Sequence, residues 1–163
     1  MEEIILEDKQ AMIFLNNLGS STFDPFWILV SEKWFWIPLY VIFLYFLYKN
    51  FNKKSLFYIL LFVALGITAS DQIANIFKFG FERLRPCHDP SLEGLLREVK
   101  CGGKFGFYSA HSSNSFFVAT YLTILLGKKI KQLPYFLFVW AAIVAYSRVY
   151  LGMHFPGDII IGA

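Results

Sequence analysis

Gln132-Leu-Pro-Tyr-Phe-Leu-Phe-Val-Trp-Ala-Ala-Ile-Val-Ala-Tyr-Ser147 is the stretch that decides the fold. It runs 16 residues without an Asp, Glu, Lys or Arg, and a cation follows at once at Arg148. Residues 34–48, 55–70 and 112–127 repeat the pattern, each 15 or 16 residues long. A spanning helix needs roughly 17–25 predominantly apolar residues. Charged residues at the ends extend these runs by snorkelling or by lining a polar site. The reading is an all-α polytopic membrane bundle with four full spanning helices, at about 33–49, 54–77, 109–127 and 132–148. Pro38 falls inside the first, where neighbouring helices can satisfy the freed carbonyl. A fifth helix starts near Pro156, but only Ile159 to Ala163 follow Asp158. At about 1.5 Å per residue that is too short to cross, so it reads as the truncated start of a longer helix.

Working outward, residues 4–30 mix Ile4, Ile5, Leu6, Met12, Ile13, Phe14 and Leu15 with charges and amides. After the Asn16-Asn17-Leu-Gly-Ser-Ser break comes Asp24-Pro-Phe-Trp-Ile-Leu-Val30. These read as two short helices lying in the interface, so that 1–32 is an interfacial region and 33–163 the membrane core of one domain. Trp34-Phe35-Trp36 and Tyr45 with Tyr48 supply an aromatic belt at each end of the first span.

Composition agrees. The chain is 56% hydrophobic, 17% charged and 20% aromatic, with 19 Phe. A soluble domain is about 45–50% apolar and about 25% charged, so the excess has to face something other than water. The net charge of +3 is small, and no basic stripe alternates with stacking aromatics, which removes nucleic acid as a partner. The acidic N-terminus lacks the basic start of a secretory signal. Lys49, Lys53 and Lys54 in one tight loop and Lys128, Lys129 and Lys131 in another, with no acid among them, suggest the cytoplasm. Cations are also plentiful on the opposite side, so the Lys and Arg count does not decide, and the cysteine pair there tips segment 78–108 to the extracytoplasmic side. The opposite side then carries the long polar excursion 78–108 and both cysteines, Cys87 and Cys101. They are either a disulfide in an oxidising compartment or two free thiols.

Three clusters of reactive residues sit at helix ends on that second side: Lys78 with Arg85-Pro86, Tyr108-Ser109-Ala110-His111, and Ser147-Arg148 through His154 to Asp158. Lys78 and Arg85 are two helical turns apart and share a face if the helix continues. The inventory is three cations, two histidines, one carboxylate and a helix start. It suits phosphoryl transfer: arginine grips phosphate oxygens, backbone N–H groups at a helix start bind anions, and a histidine can attack phosphorus when a carboxylate holds its other nitrogen. No cluster with metal-ligand spacing accompanies it, so no metal or other cofactor is called for.

Lys-x6-Arg-Pro, Tyr-Ser-Ala-His and Ser-Arg-x5-His-x3-Asp, in that order over Lys78 to Asp158, resemble the three signature motifs of the type 2 phosphatidic acid phosphatase superfamily. The second motif departs from the family's usual Pro-Ser-Gly-His at Tyr108 and Ala110. The resemblance implies a bacterial inner-membrane phosphatase with its site on the periplasmic face. It would hydrolyse a phosphate monoester or diphosphate on a lipid. It implies His154 as nucleophile through a phosphohistidine, Asp158 as its orienting partner and His111 as general acid. Lys78, Arg85, Arg148, Ser109 and Ala110 would form the phosphate cradle. An undecaprenyl pyrophosphate phosphatase is the alternative within the family. An inactive protein that binds anionic lipid is the alternative outside it, disfavoured because binding alone needs neither His154 nor Asp158.

Taken singly, each cation could be a snorkelling residue at a membrane edge, and only the three spaced motifs together outweigh that reading. His88 reads as an exposed loop residue. Asp71 and Gln72 read as hydrogen-bonding partners between helices, and Ser112 to Ser115 as close-packing residues. Glu82, one turn beyond Lys78, reads as its local ion-pair partner.

Overall fold

The computed structural model describes residues 2–163, and they are mostly helical. Among the described residues seven α-helices follow one another: α1 (Glu2–Asn17), α2 (Asp24–Ser31), α3 (Ile37–Asn50), α4 (Lys53–Phe81), α5 (Ala110–Leu126), α6 (Leu133–Tyr150) and α7 (Pro156–Gly162). Short 3-10 turns cover Lys33–Trp36, Pro86–His88 and Pro90–Leu92. Among the described residues the only extended pairing is an isolated antiparallel bridge between Leu84 and Phe105.

Local chemistry sets the helix ends. Asn52 caps α4, its Oδ1 accepting the Ser55 N–H at 2.8 Å. Glu82, in the left-handed conformation at φ 48°, stops it. α4 therefore ends at Phe81, before Arg85. Lys78 and Arg85 do not share one helix face as the spacing predicts; an extended segment carries Arg85 instead. Nor does Glu82 pair with Lys78, because its exposed side chain sits on the residue that turns the chain away from the helix.

α5 and α6 pack most closely, with α4 against α5 and α2 against α6. Phe43, Leu47, Ile59, Ala119, Leu122, Leu126, Leu137, Trp140, Ala141 and Val144 form the main buried cluster. Gly66 lets α4 approach α5: a Cβ there would lie 2.1 Å from the Phe117 ring. Much of the apolar surface of α3 and α4 is left outward, including Val41, Phe57, Phe62, Leu65 and Ile76. Water would not tolerate so large a continuous patch, and a bilayer does. α4 and α6 are each long and apolar enough to cross a membrane, and α2 with Lys33–Asn50, bent by 75°, makes a third candidate. The chain is thus an all-helical membrane protein with two or three such spans, against four full spans expected.

The two lysine-rich loops meet at one end, where Lys129 Nζ donates to the Asn50 carbonyl at 3.3 Å. At the other end α1 folds over the bundle. Asn16 is fully buried; its Nδ2 donates to the Tyr150 carbonyl at 2.8 Å and its Oδ1 accepts the Arg97 N–H at 2.7 Å. It therefore serves a carbonyl at the end of α6 that the helix cannot satisfy itself. Arg97 grips Asp24 at the start of α2 through two hydrogen bonds of 2.8 and 3.0 Å. Lys9 reaches Asp89 at 2.7 Å. The long loop 82–109 is thereby fastened to both N-terminal helices, and Cys87 is bonded to Cys101 within it.

Candidate active site

Three chain segments converge beneath α1. Beyond Glu82 the chain is extended, with the Arg85 N–H donating to the Lys104 carbonyl at 3.0 Å and the Gly106 N–H to the Arg83 carbonyl at 2.9 Å. Pro86 favours that extended geometry at the residue before it, and the pairing turns Arg85 inward, where it is only 8% exposed. Ser109 ends the loop and begins α5. α6 ends at Tyr150, and Gly152, at φ +83°, makes the turn that returns His154 to the centre. α7 then starts at Pro156 and brings Asp158 up behind His154.

Lys78, Arg85, Ala110, His111, Arg148 and His154 line one cavity of about 560 Å³. Arg85 donates from Nε to the Phe105 carbonyl at 3.2 Å and from one terminal nitrogen to the Met153 carbonyl at 3.1 Å. The same nitrogen lies 3.1 Å from His154 Nε2. A guanidinium can only donate, so the His154 Nε2 lone pair faces Arg85 and the neutral ring carries its proton on Nδ1. That nitrogen is 3.4 Å from Asp158 Oδ2, without the alignment of a hydrogen bond. Burial, then the Arg85 and Arg148 charges, hold the His154 imidazole well below its usual range. It is therefore neutral, with Nε2 as its basic nitrogen.

Arg148 donates to the Ser31 hydroxyl, while its buried Nε has no partner. Among the described residues neither Lys78 nor Arg148 is paired with a carboxylate. Three cations with donors to spare around a neutral imidazole make an anion site, and a tetrahedral oxyanion matches their number.

Two predicted members sit differently. Ser109 is fully buried outside the cavity: its N–H donates to the Asp158 carbonyl at 3.0 Å and its Oγ faces the Ser112 N–H at 3.4 Å. Its work is to cap α5 and tie it to α7. Asp158 lies behind His154 and does not line the cavity. Asp71 does line it, and also accepts from Asn114 Nδ2 at 2.9 Å, joining α4 to α5. The exposed His88 lies 3.1 Å from the Gly102 carbonyl. With Cys87 and Cys101 it forms the one cluster of metal-ligand types among the described residues, and the two sulfurs there are bonded to each other.

Sequence reasoning missed Ser31, Asp8 and Arg83. Arg83 donates to Asp158 Oδ1 at 2.8 Å and to Asp8 Oδ2 at 2.6 Å. Arg83 falls on an unspecified position inside the first motif, and Asp8 lies 75 residues before it, so no local pattern marks either.

Away from its charged end the cavity becomes apolar, walled by Phe43, Leu47, Val63, Ile67, Val118, Leu122, Trp140 and Val144. It runs between α3, α4, α5 and α6, and α3 and α4 pack only loosely on each other.

Residues 56–163 match the family model described as PAP2 superfamily. The chain is similar to the lipid A 4'-phosphatase of Bacteroides thetaiotaomicron, 38% identical over 160 residues, covering 96% of this chain and 70% of that protein. It is also similar to the lipid A 4'-phosphatase of Porphyromonas gingivalis, 36% identical over 168 residues, covering 99% of this chain and 69% of that one. Among solved structures it resembles the transmembrane PAP2 type phosphatidylglycerolphosphate phosphatase from Bacillus subtilis with a TM-score of 0.75. That likeness covers 99% of this chain and 80% of the other, and at 22% identity it speaks for the fold alone.

Proposed function

Because the chain belongs to the PAP2 superfamily, we propose that this membrane lipid phosphatase removes a phosphate monoester from a lipid A-type glycolipid, with His154 as its nucleophile. The observation that carries the reading is the two-part cavity, a cationic end around a neutral imidazole continuing into an apolar trough. A lipid phosphate has the same two parts. The substrate class follows the two lipid A 4'-phosphatases, each more than one-third identical to this chain.

Phosphate oxygens would take the free donors of Lys78, Arg85 and Arg148, drawing Arg85 off His154 Nε2. The Nε2 lone pair then attacks phosphorus. The phosphorus–oxygen ester bond breaks, its electron pair leaves on the lipid oxygen, and His111 supplies the proton. Asp158 faces the charge that develops on the imidazole. Water then gives a proton to His111 and attacks the phosphohistidine; the phosphorus–nitrogen bond breaks, returning the pair to Nε2 and releasing inorganic phosphate. The cations stabilise the charge that builds on the transferring group. None of these steps draws on a metal.

In this reading α5, 17 residues long, is a fourth span, α7 begins a fifth, and α1 with α2 lies at the interface of a single domain. The bonded Cys87–Cys101 pair and the lysine loops at the opposite end favour a bacterial inner membrane with the site on the periplasmic face.

The test is phosphate release in detergent, with a chelator present, from lipid A-type glycolipids, phosphatidic acid and a polyprenyl diphosphate, comparing the parent chain with His154→Ala. Release from the glycolipid that the variant lacks is the expected result. A preference for the polyprenyl diphosphate would overturn the substrate class, and turnover surviving in His154→Ala would overturn the mechanism.

A further inference from the structure

Arg83 takes no part in the cavity, yet it makes the only side-chain ion pair to Asp158 among the described residues apart from His154. One terminal nitrogen is 2.8 Å from Asp158 Oδ1 and the other 2.6 Å from Asp8 Oδ2 on α1. Its guanidinium carbon lies 4.2 Å over the Phe155 ring, which limits how it can swing. The second Asp158 oxygen accepts the Phe155 N–H at 3.0 Å. Both carboxylate oxygens are thus held, and Oδ2 is left facing His154 Nδ1. Asp8 is fixed in turn: its Oδ1 accepts the Gly157 N–H at 2.7 Å, and a Cβ on residue 157 would stand 2.8 Å from Asp8 Oδ2.

Asp158 is fully buried and Asp8 nearly so, while Arg83 is one-quarter exposed. A carboxylate with no exposure is tolerated only when paired and hydrogen-bonded. Lys78, Arg85 and Arg148 make no bond to Asp158, so Arg83 is the cation that meets this need.

We propose that Arg83, anchored by Asp8 of α1, is a positioning residue that aims the Asp158 carboxylate at His154, and that α1 is therefore part of the working enzyme. The inference rests on the reading of His154 and Asp158 given above. Arg83 touches neither cavity nor substrate, so its loss should slow the chemical step and leave substrate binding alone.

The experiment measures kcat, KM and thermal unfolding in detergent for the full chain and for Arg83→Gln, Arg83→Lys, Asp8→Asn and His154→Ala. The probe is the best lipid phosphate from the panel. Removing a partner that orients a catalytic group costs roughly 10–100-fold. Arg83→Gln should therefore lower kcat roughly 10–100-fold with KM within about twofold. Arg83→Lys should recover part of that loss, and Asp8→Asn should lower kcat by about three- to tenfold with the same split. An Arg83→Gln kcat within about twofold of the parent, with His154→Ala inactive, would overturn the inference. So would a loss that only tracks the folded fraction. If Arg83→Gln fails to fold, an unchanged kcat in Asp8→Asn overturns it equally. Turnover retained by His154→Ala would overturn the underlying mechanism and this inference with it.

Discussion

Asp158→Asn is the most informative single change, because its effect can be worked from the geometry. The carboxylate is fully buried, with Arg83 on Oδ1 at 2.8 Å, the Phe155 N–H on Oδ2 at 3.0 Å and His154 Nδ1 at 3.4 Å. Asparagine is nearly the same size, so packing is kept and only charge and acceptor count change. Whichever way the amide faces, its NH2 group meets a donor: the Phe155 N–H in one orientation, the Arg83 guanidinium in the other. One buried donor left without a partner costs about 1–3 kcal/mol. At 3.4 Å and an effective dielectric of about 20, a full charge on each group is worth about 5 kcal/mol. If about half of that charge has developed on the imidazole at the transition state, about 2.5 kcal/mol is lost, close to a hundredfold in rate. Reversed tautomer preference in the neutral ring adds to this. The expected kcat is about 10²–10⁴-fold below the parent, with KM changed by less than about threefold. The assay is initial-rate phosphate release in detergent, with circular dichroism to show an unchanged helix content. A fall in kcat of less than about fivefold in a folded variant would refute the claim that Asp158 supports charge on His154.

Three further outcomes are expected. In the proposed mechanism His154 acts as the neutral ring, and burial and then the Arg85 and Arg148 charges hold its pKa below the ordinary 6.5. The acid limb of kcat/KM, where protonation removes the Nε2 lone pair, should therefore lie below pH 6.5; a limb above that value counts against His154. Reducing the Cys87–Cys101 bond, or replacing both with Ser, should cost about 2–4 kcal/mol of stability for a loop of this size. It should also lower kcat/KM several-fold, because Gly102 packs against the Arg85 guanidinium; thermal unfolding and turnover with and without reductant check both. Val118→Trp fills the apolar trough and should raise KM for a long-chain lipid phosphate about tenfold or more, while kcat/KM for a short soluble phosphate ester stays within about twofold. Equal loss on both substrates would mean that the trough does not hold the lipid chains.

Helices and chemistry were legible for different reasons. The charge-free runs located α3 to α6 to within a few residues, because burial in lipid is decided by local composition. The widest errors, of four residues each, were the start of α3, at Ile37 against an expected 33, and the end of α4, at Phe81 against an expected 77. Lys78 is carried on that last turn, facing a polar site rather than lipid, which charge counting cannot distinguish. Cys87 and Cys101 were readable as a possible disulfide and equally as two free thiols, because pairing depends on how the 82–109 loop folds back. Ser109 was correctly placed at the start of α5. Its side chain nevertheless turns to cap the helix, with Oγ facing the Ser112 N–H, and takes no part in the cavity.

From the sequence alone it was legible that the chain is a helical membrane protein and that the residues proposed to handle phosphate gather at one end. Both follow from short-range facts, the length of apolar runs and the spacing of His, Arg and Lys around them. Which carboxylate meets which cation was decided only by the tertiary structure. With 15 Lys and Arg and 12 Asp and Glu available, the Asp8–Arg83–Asp158 chain joins residues 75 positions apart at each step. Such pairs form because α1 packs across α6 and α7. An ion pair in a dry interior is selected by distance and burial, which exist only once the helices have packed.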